Sequence, residues 1–577
     1  MFRFMLLLFF SPITFKNAFF LLFEMRVLGV TSLFHDTGVA VVDSGKITHA
    51  LNEERLSRKK MHLGFPYQSL EYIRSQVKKD FDVVAVSDIP AQELLQKIKF
   101  SMFDQSLLHP NPYITLKSQA MMTRWLWKTM KWYRYFQNEQ ALVFKKLGLP
   151  VKRLEHHVNH AASAYFTSGF KKCLVVTIDN HGDGICGSVS LGDKNQLVRL
   201  DTLPWPHSPG FFYAMITKVL GFKPGRHEGK ITGLAAFGNV NSPVYYEIKK
   251  LMWFVDGTIR TRAMMGLRGW VYDLAKRYSR EDLSAAFQRV LEEVVSAYIK
   301  FWMEKTGVFD VALAGGVFGN VKLNQRIIEA GAKKLFVHPH MGDGGTGAGA
   351  ALHYAMVQGE AKPYEMPHAY LGPSYAEEEM KAELIKQGLP VERSDDIEGD
   401  VADVLAKDKV VAFFSGAMEY GPRALGARSV MYSAVDPKVN EWLNKQLNRS
   451  DFMPFAPVTL ERFAKKCYKN FVPGALAARF MTVTFDCTDF MKDASPATVH
   501  VDGTARPQII SKDLHKSYNR VLEQYYKLTK IPSLVNTSFN MHEEPIVCSP
   551  FDAIRAFKLG HLDYLALGPF LVKNGSR

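Results

Sequence analysis

Along this chain short apolar runs bounded by turn residues alternate with longer stretches in which apolar positions recur at helical spacing. From Arg26 to Leu51 two β-rich runs flank the turn Asp43-Ser44-Gly45 and read as a hairpin. Residues 82–88 and 173–179 read as further strands, 281–305 as a helix, and VALAGGV at 311–317 as a buried strand leaving into a glycine turn. A second strand series follows, VVAFFSG at 410–416 and PSLVNTSF at 532–539. Strands alternating with helices predict an α/β protein. The stretch 361–374, with Pro363, Pro367, Gly372 and Pro373, reads as a linker, so domains are expected over 25–362 and 363–577. No short-period repeat or low-complexity tract is present.

The 577 residues exceed one core and agree with two domains. Hydrophobic residues at 47% and charged residues at 22% exclude a disordered, collagen-like or coiled-coil chain. The 72 basic against 57 acidic residues leave +15, which favours anionic partners without choosing among them. Five scattered cysteines without a C-x-x-C pair argue against a disulfide framework or zinc ribbon and suit reduced thiols in a cytoplasm. Residues 1–24 carry short apolar runs broken by Ser11, Pro12, Lys16 and Asn17; they read as a non-native extension or mis-assigned start, with Met25 as the start expected and a membrane anchor as the alternative. Residues 105–138 contain no Asp or Glu and interleave Lys117, Arg124, Lys128, Lys131 and Arg134 with Trp125, Trp127, Trp132, Tyr133 and Tyr135. That pattern fits either a lipid or single-stranded nucleic acid surface or an amphipathic helix with its aromatics packed inward. The second is expected, because aromatics carry large burial energies.

Several constellations can carry chemistry. In EHHVNHAASAYF at 155–166, His156 and His160 are i and i+4 on a helix and share a face, the spacing by which two imidazoles bind one metal. His157 points away. Asp179 falls where an apolar strand ends in a glycine-rich turn and can ligate a metal or a metal-bound phosphate. HPHMGDGGTGAGAAL at 338–352 runs glycines into an alanine-rich helix whose start can cradle phosphate, with Asp343 as an oxygen ligand. AGGVFGN at 314–320, with Asn320, and EGKITGLAAFG at 228–238, with Lys230, are turns of the same kind. Further on, Arg423 and Arg428 in EYGPRALGARS, Arg449 in NRSDFMPFAP, His500, Asp502 and Arg506 in HVDGTARPQ, and Asn536 in NTSFN suit a small phosphate- or carboxylate-bearing ligand.

The ordered set HH-x-x-HA, EGK-x-x-GLA, AGGV, GD-x-GT, GPRALG-x-RS, PFAP, HVDGTAR-x-Q and NTSFN resembles the NodU/CmcH O-carbamoyltransferases from Met25 to about Gly568. The resemblance implies a Kae1-like domain of the actin/Hsp70/sugar-kinase type followed by a YrdC-like α/β domain. It implies an enzyme that makes carbamoyl adenylate from carbamoyl phosphate and ATP and transfers the carbamoyl group to a hydroxyl of a sugar or natural product. Carried over by position, His156, His160, Asp179 and Asp343 match metal ligands; the family's metal is usually iron, and two imidazoles with two carboxylates suit zinc or manganese as well. Gly315, Gly316 and Asn320, with Gly344 and Thr346, match nucleotide contacts, and Lys230 the pyrophosphate side. Arg423, Arg428, Arg449, His500, Asp502, Arg506 and Asn536 fall to carbamoyl phosphate, and His35 or Asp36 of FHDTGVA to acceptor binding or general base. No nucleic acid partner is expected, and the resemblance allows a homodimer and peripheral membrane contact. The alternative is a tRNA threonylcarbamoyl-type enzyme, which +15 suits; the EGK, GPRALG and HVDGTAR motifs belong to the carbamoyltransferase branch.

Overall fold

A computed structural model describes residues 25–575 except 33–34, 78–79, 103–111, 263–265, 448–454 and 473. Residues 1–24 and Arg449 lie outside the described residues. The protein is α/β, and its first part holds two five-stranded sheets of the same design.

In the first sheet the order is Lys46–Asn52, Gly38–Asp43, Arg26–Thr31, Val83–Val86, Val151–Arg153. In the second it is Gln196–Pro204, Ile185–Asp193, Lys172–Gly182, Asp310–Ala314, Lys334–Val337. Each begins as an antiparallel three-strand meander and continues with two strands parallel to the meander's first strand. The tight turns follow from backbone chemistry. Ser44-Gly45, Asp183-Gly184 and Lys194-Asn195 all have positive φ at both central residues, the turn whose twist matches paired strands.

Between the sheets pack the helices His156–Thr167 and Thr346–Val357. Their approach requires glycine: a Cβ on Gly349 would stand 1.9 Å from the Asn159 carbonyl oxygen, and one on Gly29 would stand 2.0 Å from that of Gly347. Gly347 and Gly349 therefore serve helix packing rather than the phosphate cradle expected of this run.

The second part is built on a mixed seven-stranded sheet, ordered Gln508–Ile510, Ala456–Leu460, Ser533–Ser538, Arg428–Ser433, Val411–Phe414, Tyr564–Leu567, Phe570–Lys573. Helices Ile397–Ala406 and Lys516–Thr529 bury one face, and Glu377–Lys386, Val439–Gln446 and Pro550–Leu559 the other. The stretch 361–374 between the two parts is a packed strap. Tyr364 and Met366 donate N–H bonds to the carbonyls of Phe166 (2.9 Å) and Thr167 (3.0 Å), and Met366 and Ala369 are buried. Arg58 adds bonds to the carbonyls of Pro545 and Ile546 (both 2.8 Å).

Residues 112–138 of the acid-free stretch lie in a long helix, Pro112–Leu147, and its residues 105–111 lie outside the described ones. The inward packing expected of its aromatics holds for Tyr133 and Phe136, which are buried, and fails for Trp127, Trp132 and Tyr135, which are 67%, 55% and 61% exposed. The aromatics occur on both sides of the helix, and only one side meets the core.

Candidate metal centre and its cavity

The histidine helix starts at His156 because two carboxylates take its free N–H groups. Glu155 accepts from His157 and Val158, and Asp183 Oδ2 accepts from His156 at 2.8 Å. This fixes His156 and His160 one turn apart on one face, with Nε2 atoms 3.0 Å from each other. His157 points away, its Nδ1 2.9 Å from the Thr177 hydroxyl. Asp179 lies on the strand Lys172–Gly182 where it runs into the Asp183-Gly184 turn, and Asp343 opens the turn before the helix Thr346–Val357.

Asp179 Oδ2 is 3.2 Å from His160 Nε2 and 3.7 Å from His156 Nε2; Asp343 Oδ1 is 3.7 and 3.6 Å from the same atoms. One ligand atom from each of the four residues lies within 4.8 Å of all the others. Donors about 2.1 Å from a common ion stand about 3–3.5 Å apart, so this set fits a divalent cation. The buried Asp179 Oδ2 has no hydrogen-bond partner, as expected of an oxygen directed at a cation.

The charge balance points the same way. Burial disfavours a charged His156, yet Asp343 and Asp179 outweigh it and push its pKa up to about 9. Burial likewise opposes a charged Asp179, but His156 and His160 hold it well below the usual range. His35 lies alongside, with Nε2 3.7 Å from Asp343 Oδ2 and Nδ1 3.2 Å from Asp36 Oδ2. Burial again opposes its charge, and Asp343 and Asp36 raise it to about 10. Burial, helped by the Glu155 and Asp88 carboxylates, carries Asp183 up to about 7 against the pull of His156, and burial, helped by His156 and His35, carries His181 down to about 4 against that of Asp179.

His156, Asp179, Asp343 and His35 line a cavity of about 490 Å3, along with Thr346, His181, Trp205, Arg226 and, from the long helix, Thr129 and Tyr133. Of the wall, the sequence reading named His35, His156, Asp179, Asp343 and Thr346 and missed Thr129, His181, Asp183, Trp205 and Arg226; only the glycine-rich turn after Asp179 signalled Asp183. Asp36 is outside the lining and orients His35 from behind.

The glycine turns border the cluster. Gly315 has φ +104°, and a Cβ there would stand 2.2 Å from the Ile178 carbonyl oxygen; one on Gly316 would stand 3.0 Å from Asp179 Oδ1. Gly344 abuts His340, and the Thr346 hydroxyl donates to the Asp343 carbonyl at 2.7 Å. Asn320 caps the helix Val321–Glu329 through the Leu323 N–H and pairs with Gln288. Lys230 lies 5.9 Å from the Phe222 ring centroid, outside the cavity lining.

The residues expected to hold carbamoyl phosphate divide. Arg428 is fully buried, donates to the carbonyls of Ser415, Gly416, Ala427 and Pro373, and stacks on Phe414 at 3.5 Å. Asn536 is buried and donates to the Ala424 carbonyl and Gln508 Oε1. Both are occupied in holding the turn between Glu419 and Arg428. Glu419 completes that turn, its Oε1 accepting the N–H groups of Leu425, Ala427 and Arg428. Arg423 is half-buried, with one long bond of 3.4 Å to the Gly319 carbonyl, and burial lowers it to about 10. Arg506 is half-buried. Asp502 pairs with Lys322 and sits 3.5 Å from His500 Nδ1.

Two duplicated sheets around a half-buried two-histidine, two-carboxylate cluster, open to a cavity, define an α/β protein with a candidate metal site. Residues 26–352 match the carbamoyltransferase N-terminus and residues 402–574 the carbamoyltransferase C-terminus. The chain belongs to the carbamoyltransferase family and is an enzyme of that family. It is similar to an uncharacterized protein of Methanocaldococcus jannaschii, with 32% identity over 93% of this chain and 98% of the relative. Nodulation protein U of Sinorhizobium fredii is 34% identical over 90% of this chain and 94% of its own. Nodulation protein NolNO of the same organism is 29% identical over 94% and 79%. A solved structure titled full-length HypF in the phosphate- and nucleotide-bound form overlaps 59% of this chain and 56% of its own at a TM-score of 0.35 and 16% identity. Among the described residues no helix is long and apolar enough to cross a membrane.

Proposed function

We propose that the protein is an ATP-dependent O-carbamoyltransferase working by way of carbamoyl adenylate. Carbamoyl phosphate is hydrolysed to carbamate and phosphate; a carbamate oxygen attacks the α-phosphorus of ATP and expels pyrophosphate; an acceptor hydroxyl attacks the carbamoyl carbon and releases AMP. The first part is read as Kae1-like and of the actin type, which its duplicated sheets support. The second is read as YrdC-like. Reduced, buried cysteines suit a cytoplasmic enzyme, and the resemblance allows a homodimer.

The observation that carries the reading is the convergence of His156, His160, Asp179 and Asp343 at a cavity wide enough for a nucleotide or sugar. These four would hold the divalent metal, iron by resemblance, and the ion would supply positive charge for a phosphoryl group or a developing oxyanion. His35, on the cavity wall, is proposed to bind the acceptor as a hydrogen-bond donor, because Asp343 and Asp36 hold its imidazole charged, and Asp36 fixes the ring. Gly315 and Gly316, which pack against Ile178 and Asp179, are proposed nucleotide contacts through their backbone, and Gly344 and Thr346 set the turn that presents Asp343. Asn320 and Lys230 are proposed as nucleotide-side groups, Asn320 acting through the helix it caps. Arg423 and Arg506 are the proposed contacts to carbamoyl phosphate, with Arg449, His500 and Asp502; Arg428 and Asn536 shape that pocket from behind.

The test is pyrophosphate release. It should require carbamoyl phosphate together with ATP and be indifferent to tRNA. Release that needs tRNA, bicarbonate and threonine would move the protein to the threonylcarbamoyl reading.

A further inference from the structure

The helix Pro112–Leu147 has two different faces. Its inner face carries Leu126, Met130, Tyr133, Phe136 and Gln140, all buried. It is fastened there: the Tyr133 hydroxyl donates to the Ile89 carbonyl at 2.7 Å, and Gln140 donates to Ser32 and Asp88 at 2.8 and 2.9 Å. Thr129 and Tyr133 on this side are part of the cavity wall above the metal cluster. The helix is therefore a rigid wall of the site.

Its outer face is exposed and carries Lys117, Arg124, Trp127, Lys128, Lys131, Trp132, Arg134 and Tyr135. At 100° per residue these positions share about half the helix circumference, opposite the buried set. Three large aromatics are exposed to water here, and Trp132 stacks on Phe136 with ring centroids 6.0 Å apart, which holds it at the surface. Acidic residues are absent from the whole stretch 105–138, so the face is cationic from Lys117 to Arg134, and Glu139, one turn beyond Tyr135, accepts from the Tyr67 hydroxyl.

We propose that this outer face docks the protein on an anionic lipid surface, with Trp127, Trp132 and Tyr135 at headgroup depth and Lys128, Lys131 and Arg134 on the acidic headgroups. Amphipathic aromatic rings partition to that depth, and basic side chains there are attracted by acidic lipid. Single-stranded nucleic acid is disfavoured by shape. Such binders track a backbone along a groove, whereas this surface is the convex side of one helix. Docking would hold the catalytic cavity one helix diameter, about 10 Å, from the membrane, where an acceptor hydroxyl on a lipid-linked molecule is within reach.

Co-sedimentation of the full chain with vesicles of phosphatidylserine and phosphatidylcholine tests this. The wild-type protein should bind these vesicles and not pure phosphatidylcholine, and binding should weaken with salt. Lys128→Gln/Lys131→Gln/Arg134→Gln should lower the partition coefficient on the order of 100-fold, about fivefold per cation. Trp127→Ala/Trp132→Ala should lower it as well, with both variants melting like the wild type. In the unaltered protein, lipids brominated near the headgroup should quench tryptophan fluorescence, a readout that needs no variant. Residues 1–24 are common to every arm, so binding that survives both variants would assign it to another segment and overturn the proposal. No vesicle binding by the wild type would overturn it too, as would loss in these variants of single-stranded RNA binding alone.

Discussion

The histidine–aspartate cluster and the arginine-rich turns of the second part looked alike in sequence, each a set of polar residues in glycine-punctuated segments. In the structure they differ. At the cluster, four donors from three segments point their ligand atoms at one another, and the buried Asp179 Oδ2 faces the two imidazoles without a well-formed hydrogen bond. In the turn at 419–428, Arg428 directs its donors at four carbonyls of its own part of the chain, and Glu419 gathers three backbone N–H groups. The lesson is that a site is marked by polar groups the fold leaves facing one another without neutral partners. A turn of equal polarity can be internally satisfied and purely architectural.

The sharpest way to break this contrast is to remove one side chain from each region. His156→Ala should reduce carbamoyl transfer by more than about 100-fold, since even losing a group behind a metal ligand costs 10–100-fold. Its melting temperature should change little. Arg428→Met should do the reverse and destabilise the fold by about 3 kcal/mol in denaturant titration, because it strands several buried carbonyls. An Arg428→Met protein of native stability would show that the side chain is a ligand contact after all.

Arg423→Ala sharpens the division within the second part. Arg423 makes one long bond to the protein, so its loss should leave stability within about 0.5 kcal/mol. It should weaken use of carbamoyl phosphate by tenfold or more, since a charged hydrogen bond is worth about 1.5–3 kcal/mol. The measurement is the carbamoyl phosphate KM for pyrophosphate release.

The smallest effect belongs to the contact that joins the two regions. Glu543 pairs with Lys223, Arg226 and His227, the first two beside the cavity-lining Pro224 and Gly225. Burial opposes its charge, but His227 and Lys223 lower its pKa to about 2. A depressed carboxylate stabilises the fold above its ordinary pKa, near 4.5, and that contribution fades as pH falls toward 2. Glu543→Gln should therefore cost less than about 1 kcal/mol at neutral pH and flatten the acid limb of the stability–pH curve.

Much of the cluster was legible because its signals are local. The i,i+4 histidines, the strand ending at Asp179 and the turn at Asp343 are each readable within a dozen residues, and the hairpin about Ser44-Gly45 follows from turn chemistry. What was hidden depends on distant packing. Gly347 and Gly349 look like a phosphate cradle in sequence, yet they admit the Asn159 backbone and the strand holding Thr31. Thr129 and Tyr133 reach the cavity only because the long helix folds back over it. The exposed Trp127 and Trp132 could not be told from buried ones, since burial energy names no partner. The duplicated sheet order was invisible because it repeats in topology and not in residues.

The most direct test of the account is elemental analysis of purified wild-type and His160→Ala protein. His160 contributes a buried Nε2 to the cluster. One equivalent of a divalent metal per wild-type chain, and none in a His160→Ala protein that melts normally, is the predicted result. Equal metal content in the two proteins would contradict it.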